Sequence, residues 1–149
     1  MRYLLVDRII EWKANETIKG IKNVAMTEDF LEFHFPGNPV MPGVLLIEAL
    51  VQLAGWLVAA SSDFKQWFLP ETVDKCKFYS FALPGDQVEL GVESVSGGKD
   101  KVCFKGIGTV LGKKKVVAEF SGSLIALDEI EDIEKERRFF KLLMRELSL

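Results

Sequence analysis

The feature that most constrains this 149-residue sequence is an apolar stretch at residues 44–60, VLLIEALVQLAGWLVAA. It is shorter than the roughly 20 apolar residues that cross a bilayer, and it contains Glu48 and Gln52. Pro42 and Gly43 precede it, and proline is tolerated in the first turn of a helix. Apolar residues lie on every side of such a helix, which is typical of a helix buried within protein. The stretch therefore predicts a central core helix and no membrane span.

Segments of alternating apolar and polar residues, typical of β-strands, lie on both sides of this helix. Two precede it and four follow it, at residues 3–12, 16–27, 73–83, 88–95, 101–111 and 116–127. Turn residues separate them at Asn15, at 84–86, at 96–100 and at 112–115, and residues 61–71 are interpreted as a loop. An antiparallel sheet around one helix is economical, because each element needs an apolar partner. We predict an α+β domain over residues 1–127.

Residues 128–149 differ from the rest of the chain. Acidic residues crowd their first half and basic residues follow, an order that suits the helix dipole. Apolar residues fall on one stripe at helical spacing, namely Ile130, Ile133, Phe140, Met144 and Leu147. We predict an amphipathic helical extension that docks on the body of the domain or on a sister subunit. A helix for another partner protein is the alternative.

Composition excludes several classes of protein. The formal net charge of −3 offers no cationic excess for nucleic acid. One histidine and two cysteines cannot build a structural zinc site. Cys76 and Cys103 lie far apart, and we expect reduced core thiols in a reducing compartment. Because the alternating segment begins directly after Met1–Arg2, we expect no cleavable signal peptide and a cytoplasmic location.

The single histidine, His34, begins a Pro- and Gly-rich segment, HFPGNPVMPG, that ends at Gly43. Stiff loops commonly hold site residues, and this loop ends at a helix N-terminus, which favours a developing oxyanion. Glu48 lies little more than one turn further and shares a helix face with Gln52, to which it can hydrogen-bond. These groups suit proton abstraction next to a carbonyl, followed by loss of a β-substituent. A structural role remains the alternative for both His34 and Glu48.

The segment from His34 to Gln52, HFPGNPVMPGVLLIEALVQ, resembles the (3R)-hydroxyacyl-[acyl-carrier-protein] dehydratases of type II fatty acid synthesis. It is closest to the branch that has Glu on the central helix. The resemblance continues through LVDR, IKNV, PGDQ, FKG and VAE, and covers roughly residues 4–127. It implies the hotdog fold, an antiparallel sheet wrapped around one helix, in dimers or trimers of dimers. It also implies that no metal or redox cofactor is needed.

Carried over residue by residue, the resemblance implies that His34 is the base that removes the C2 proton of a 3-hydroxyacyl thioester. Glu48 would protonate the departing hydroxyl or hold it as water. The N–H of Gly43 would stabilise charge on the thioester oxygen, the carbonyl of Val40 would orient the imidazole, and Gln52 would position Glu48. In this family the His and Glu of one site come from different subunits, so activity would require the dimer.

The resemblance also implies a substrate carried on the phosphopantetheine arm of an acyl carrier protein. That carrier is acidic, so docking needs a local basic patch, for which Lys75 and Lys77 are candidates. Relatives are commonly Arg-rich where this chain has YSF at residues 79–81, which leaves the carrier and the pathway open. A hotdog acyl thioesterase and a non-catalytic acyl-carrier-binding subunit are the alternative functions. Relatives that also isomerise the double bond typically carry Asp in place of Glu48, so we do not expect isomerisation.

Overall fold

The structure is a computed structural model that describes residues 4–32, 34–95 and 101–146. In chain order the regular elements are β1 (Arg8–Lys13), β2 (Thr17–Asn23), α1 (Gly43–Ser61), β3 (Gln66–Phe78), β4 (Gln87–Val95), β5 (Val102–Val110), β6 (Lys113–Ala126) and α2 (Ile133–Leu143). Short 3₁₀ turns lie at Asp29–Leu31 and Leu127–Glu129.

The strands form one six-stranded sheet in the order β1-β2-β4-β5-β6-β3, and every neighbouring pair is antiparallel. Strands β1 and β3 are its edges. On the inner face, the rings of Phe68, Phe104 and Phe120 pack together, with centroids 4.9 Å apart for the first pair. Each of these rings is almost fully buried. The predicted antiparallel sheet is therefore confirmed.

Helix α1 packs across the inner face of this sheet, and most of its middle turns are buried. Two glycines, which have no side chain, allow close packing here: the ring of Trp67 lies against Gly55, and Leu50 lies against Gly106. By length and composition α1 could cross a membrane, but 61% of its most apolar window is buried inside the protein. Burial of each large aliphatic side chain contributes about 1.5–3 kcal/mol. The helix is therefore the core of the domain, as its all-round apolar pattern predicts.

Strand β3 differs from its predicted bounds. It begins at Gln66, inside the predicted loop, because Trp67 and Phe68 pack inward, and it ends at Phe78, where its pairing with β6 stops. The loop after α1 is therefore reduced to a few residues, in which Phe64 N–H donates to Ala59 O at 2.7 Å.

Smaller differences follow from the same long-range pairing. The turn before β6 lies at Leu111 and Gly112, both with positive φ, so the lysines that follow belong to the strand. Cys76 is exposed on the edge strand β3 and Cys103 is half-buried, so the prediction of core thiols is wrong for Cys76. The predicted hairpin turn at residues 96–100 lies outside the described residues.

A buried ion pair holds the connection between β2 and α1. The Lys22 side chain is only 4% exposed, and its Nζ lies 2.5 Å from Glu28 Oε1 and 3.7 Å from Asp7 Oδ2. Asp7 Oδ2 also accepts a hydrogen bond from the Asn23 N–H at 2.7 Å. A buried cation is stable only when it is paired. Its pairing with Lys22 therefore holds Glu28 in place, at the start of the segment that leads to His34.

Helix α2 docks on the body of its own chain, which is one of the two docking surfaces that the sequence predicts. It begins at Ile133 because the Asp132 carboxylate caps it, and Ile130 lies before it and is half exposed. The buried ring of Phe140 lies 5.9 Å from Trp56, and Arg137 pairs with Asp63 at 2.7 Å. Further contacts join Phe140 to Trp12 and Phe64. The predicted stripe residue Leu147 lies outside the described residues.

Candidate active site

His34 lies in a cavity at the N-terminal end of α1. The volume of this cavity is ≈ 480 Å³, which lies within the range of small-molecule binding sites. Its wall is formed by the loop before α1, the first turn of α1 and the residues after β3; it includes Phe35, Met41, Pro42, Gly43, Val44, Leu46, Phe78, Tyr79, Ser80 and Phe81. The imidazole is half-buried and stacks on the Phe35 ring, with centroids 4.1 Å apart. The histidine therefore faces a largely apolar cavity.

Two hydrogen bonds between the same residues fix this histidine. The Val40 N–H donates to the His34 backbone carbonyl at 2.9 Å, and His34 Nδ1 lies 3.3 Å from the Val40 carbonyl oxygen. Because a carbonyl oxygen can only accept, Nδ1 carries the proton in the neutral ring. The unprotonated Nε2 is then the nitrogen that can act as a base. The structure thus supplies the contact predicted for Val40.

The start of α1 forms one wall of the same cavity. Gly43 is the first residue of the helix, and Pro42 precedes it as the N-cap. A Cβ atom at Gly43 would lie 2.5 Å from Cε1 of Phe78, so only glycine lets this ring pack against the helix end. The N-terminus of α1, which is the positive end of the helix dipole, therefore lies at the cavity that holds His34.

Glu48 lies on a different side of α1, in a hydrogen-bonded chain that ends at the backbone. Gln52 Nε2 donates to Glu48 Oε1 at 3.2 Å, and Gln52 Oε1 accepts from the Leu5 N–H at 2.9 Å. Because the Leu5 N–H can only donate, the amide of Gln52 must turn its NH₂ toward the carboxyl group. The predicted pairing of Glu48 with Gln52 is present, and it orients the carboxyl group.

One chain does not bring His34 and Glu48 together. Glu48 is exposed and lines a separate groove of ≈ 380 Å³, together with Leu4, Val6, Gln52, Trp56, Trp67 and Phe139. None of these residues lines the His34 cavity. The single chain therefore holds two candidate half-sites: the His34 half-site, with the imidazole and a helix N-terminus, and the Glu48 half-site, with an oriented carboxyl group.

Of the two basic candidates, Lys77 lies beside the His34 cavity. Lys77 Nζ is 4.7 Å from the centroid of the Tyr79 ring, which lines that cavity, whereas Lys75 is exposed and lies 3.9 Å from Glu119. Lys114 Nζ also lies near this ring, 5.8 Å from the Tyr79 centroid.

Two groups of residues around the half-sites escaped the sequence reasoning. The sequence analysis places Lys114 and Lys115 in the turn at residues 112–115, whereas both lie on β6, where Lys115 donates to Ser80 Oγ at 3.0 Å and Lys114 lies over the Tyr79 ring. Phe139 on α2 lines the Glu48 groove although it is far away in sequence. Both placements depend on long-range packing, for which the local pattern carries no signal.

Within the described part of the chain, no cluster of three His, Cys, Asp or Glu side chains is arranged to hold a metal ion.

Comparison with known proteins defines the class. The FabA-like domain family matches residues 1–121. The smu.793 protein of Streptococcus mutans, solved bound to acetyl CoA, shares the fold with a TM-score of 0.66 at 13% identity, over 85% of this chain and 94% of that one. The chain thus belongs to the FabA-like family and has its hotdog fold.

Curated relatives narrow the assignment. The 3-hydroxyacyl-[acyl-carrier-protein] dehydratase FabZ of Haemophilus influenzae is 39% identical over 113 residues, 74% of this chain and 76% of the relative. The FabZ of Geobacter metallireducens is 38% identical over 133 residues, 86% of this chain and 87% of the relative. Within the FabA-like family the chain therefore belongs with the FabZ dehydratases, which confirms the family predicted from the sequence.

Proposed function

We propose that this protein dehydrates (3R)-3-hydroxyacyl-[acyl-carrier-protein] to the trans-2-enoyl thioester and water, in type II fatty acid synthesis or a related lipid or polyketide pathway. The observation that carries the proposal is the His34 half-site of this chain, which belongs with the FabZ dehydratases. Its imidazole has a free Nε2 because Nδ1 is held by the Val40 carbonyl, and a helix N-terminus lies in the same cavity.

The chemistry uses four groups. His34 Nε2 takes the C2 proton, and the C–H electrons form the C2–C3 double bond as the C3–O bond breaks. The N–H of Gly43 stabilises the negative charge that develops on the thioester oxygen. Glu48, positioned by Gln52, gives its proton to the hydroxyl, which leaves as water. His34 then holds one extra proton and Glu48 lacks one, and proton exchange with solvent restores both groups.

We also propose that the active unit is a homodimer, alone or within a trimer of dimers, formed by pairing of two β3 strands. Strand β3 is thirteen residues long and lies at the sheet edge, and all but two of its residues are exposed. Apolar side chains on it are also open to solvent, among them Leu69 at 44% and Val73 at 50% exposed. Such an edge is a template for another strand, and a second copy of β3 would cover it.

This pairing would unite the two half-sites. In a two-fold antiparallel pair centred on Thr72, the middle residue of β3, the start of one strand lies beside the end of the other. Trp67, which lines the Glu48 groove, would then lie near the partner subunit's Phe78, which lines the His34 cavity of that subunit. Each active site would contain Glu48 of one chain and the partner subunit's His34.

The substrate would arrive on the phosphopantetheine arm of an acyl carrier protein. Lys77, with Lys75 on the same strand, would attract the acidic carrier to the rim of the His34 cavity, and Lys114 and Lys115 extend this positive surface. A cytoplasmic location fits the two free cysteines, which are ordinary in a reducing compartment.

The direct test is reversible hydration of a trans-2-enoyl thioester on its carrier, followed by loss of the conjugated enoyl absorbance. His34→Ala and Glu48→Ala should each lower the rate by ~10² or more, and Glu89→Gln, an exposed carboxylate on β4, should not. Release of free thiol without hydration would identify a thioesterase instead. A folded protein that turns over no substrate would indicate a non-catalytic carrier-binding subunit.

A further inference from the structure

The Glu48 groove continues from the carboxyl group to an aromatic wall. Glu48, Gln52 and Trp56 are spaced four residues apart on α1, so they form one stripe along the helix. At 1.5 Å per residue, the stripe extends about 12 Å from Glu48 to Trp56. At its far end lie the rings of Trp56, Trp67 and Phe139.

These three rings support one another. The Trp56 and Trp67 centroids lie 5.2 Å apart with perpendicular planes, and Phe139 lies 5.7 Å from Trp56. The Trp67 ring rests on the α1 backbone at Gly55, where a side chain would clash with it. The wall is therefore built from the central helix, the first residues of β3 and the C-terminal helix α2.

The turn of α2 that carries Phe139 is anchored by two neighbouring residues, Phe140 and Arg137. Phe140 is buried between Phe64 and Trp56, and the Arg137–Asp63 ion pair fixes the same turn of α2. Phe139 itself is only half-buried. Its replacement therefore opens the groove while the anchor of α2 remains.

We infer that the acyl chain of the substrate lies along the Glu48 groove and that Phe139, contributed by α2, limits its length. This inference rests on the proposed function. The polar end of the groove carries the acid that acts at C3, and the carbons beyond C3 meet a wall of apolar rings. An acyl tail fits such a wall, because it has no polar groups that would lose hydrogen bonds there. Acyl chains that are too long to end before this wall are therefore poorer substrates.

The test compares hydration of crotonyl, octenoyl and hexadecenoyl thioesters on the carrier. The wild-type protein should favour the shorter chains, and Phe139→Ala should raise the hexadecenoyl-to-crotonyl ratio of kcat/KM by about tenfold or more. Phe139→Trp should lower the octenoyl-to-crotonyl ratio. Leu142→Ala, at an exposed position of the same helix, is the matched control and should leave both ratios unchanged.

The outcomes separate the inference from the proposed function. A wild-type protein that hydrates crotonyl thioester, together with unchanged ratios in both Phe139 variants, would overturn the inference and leave the dehydratase intact. Absence of hydration with every chain length would overturn the proposed function itself. Equal shifts in Phe139→Ala and Leu142→Ala would show that loosening of α2, and not the wall, controls the ratio.

Discussion

Replacement of Glu28 by Ala should destabilise the protein by removing the close partner of a buried cation. Lys22 is almost completely buried and its Nζ lies 2.5 Å from Glu28 Oε1. Loss of one member of a buried ion pair costs about 3–5 kcal/mol. Glu28 is 16% exposed and Asp7 remains 3.7 Å from the cation, so we expect the lower end, about 3 kcal/mol.

The matched control removes both charges. In the double variant with Lys22→Met and Glu28→Leu the buried pair is gone, and Asp7, whose side chain is 36% exposed, keeps its hydrogen bond from the Asn23 N–H. The free energy of unfolding should therefore return to within about 1 kcal/mol of wild type. Urea unfolding followed by tryptophan fluorescence measures both effects, at one protein concentration because association adds to apparent stability. A loss below about 1 kcal/mol in Glu28→Ala would refute the reasoning, as would a double variant no more stable than the single one.

Two further predictions concern the acid and the docked helix. Gln52→Leu should lower kcat for hydration by ~10–100-fold, because Glu48 loses the donor that orients it; an unchanged kcat would remove Gln52 from the site. Arg137 holds the pKa of Asp63 below its usual value through a hydrogen bond and charge attraction. Because the folded-state pKa is depressed, this stabilisation is present above the ordinary pKa of ~3.9 and is lost as pH falls through the folded-state value. Tryptophan fluorescence should therefore report loosening of α2 in acid, and Asp63→Asn should show the loosened signal already at neutral pH.

Features set by local chemistry could be predicted from the sequence. The all-round apolar pattern identified α1, and the turn at Gly85 follows from a glycine at positive φ. The Glu48–Gln52 contact follows from helical spacing alone. These signals lie within a few residues of one another, so no knowledge of the tertiary structure is needed to read them.

Features set by strand order and distant packing could not be predicted. Cys76 is exposed because β3 is an edge strand, and its alternating pattern is the same as that of a central strand. Phe139 reaches the Glu48 groove only because α2 folds back onto the end of α1. Spacing alone groups His34 with Glu48, and only the family resemblance implies that they act from different subunits; the chain places them in two cavities.

The central claim is that each active site combines Glu48 of one chain with His34 of its partner. It is tested by mixing inactive His34→Ala and Glu48→Ala proteins, unfolding them together and refolding them. Half of the resulting dimers should be mixed, and each mixed dimer should have one intact site, so roughly a quarter of wild-type hydration activity should return. Each variant refolded alone is the control and should stay inactive. If mixing restores no activity although mixed dimers form, the base and the acid do not come from different subunits.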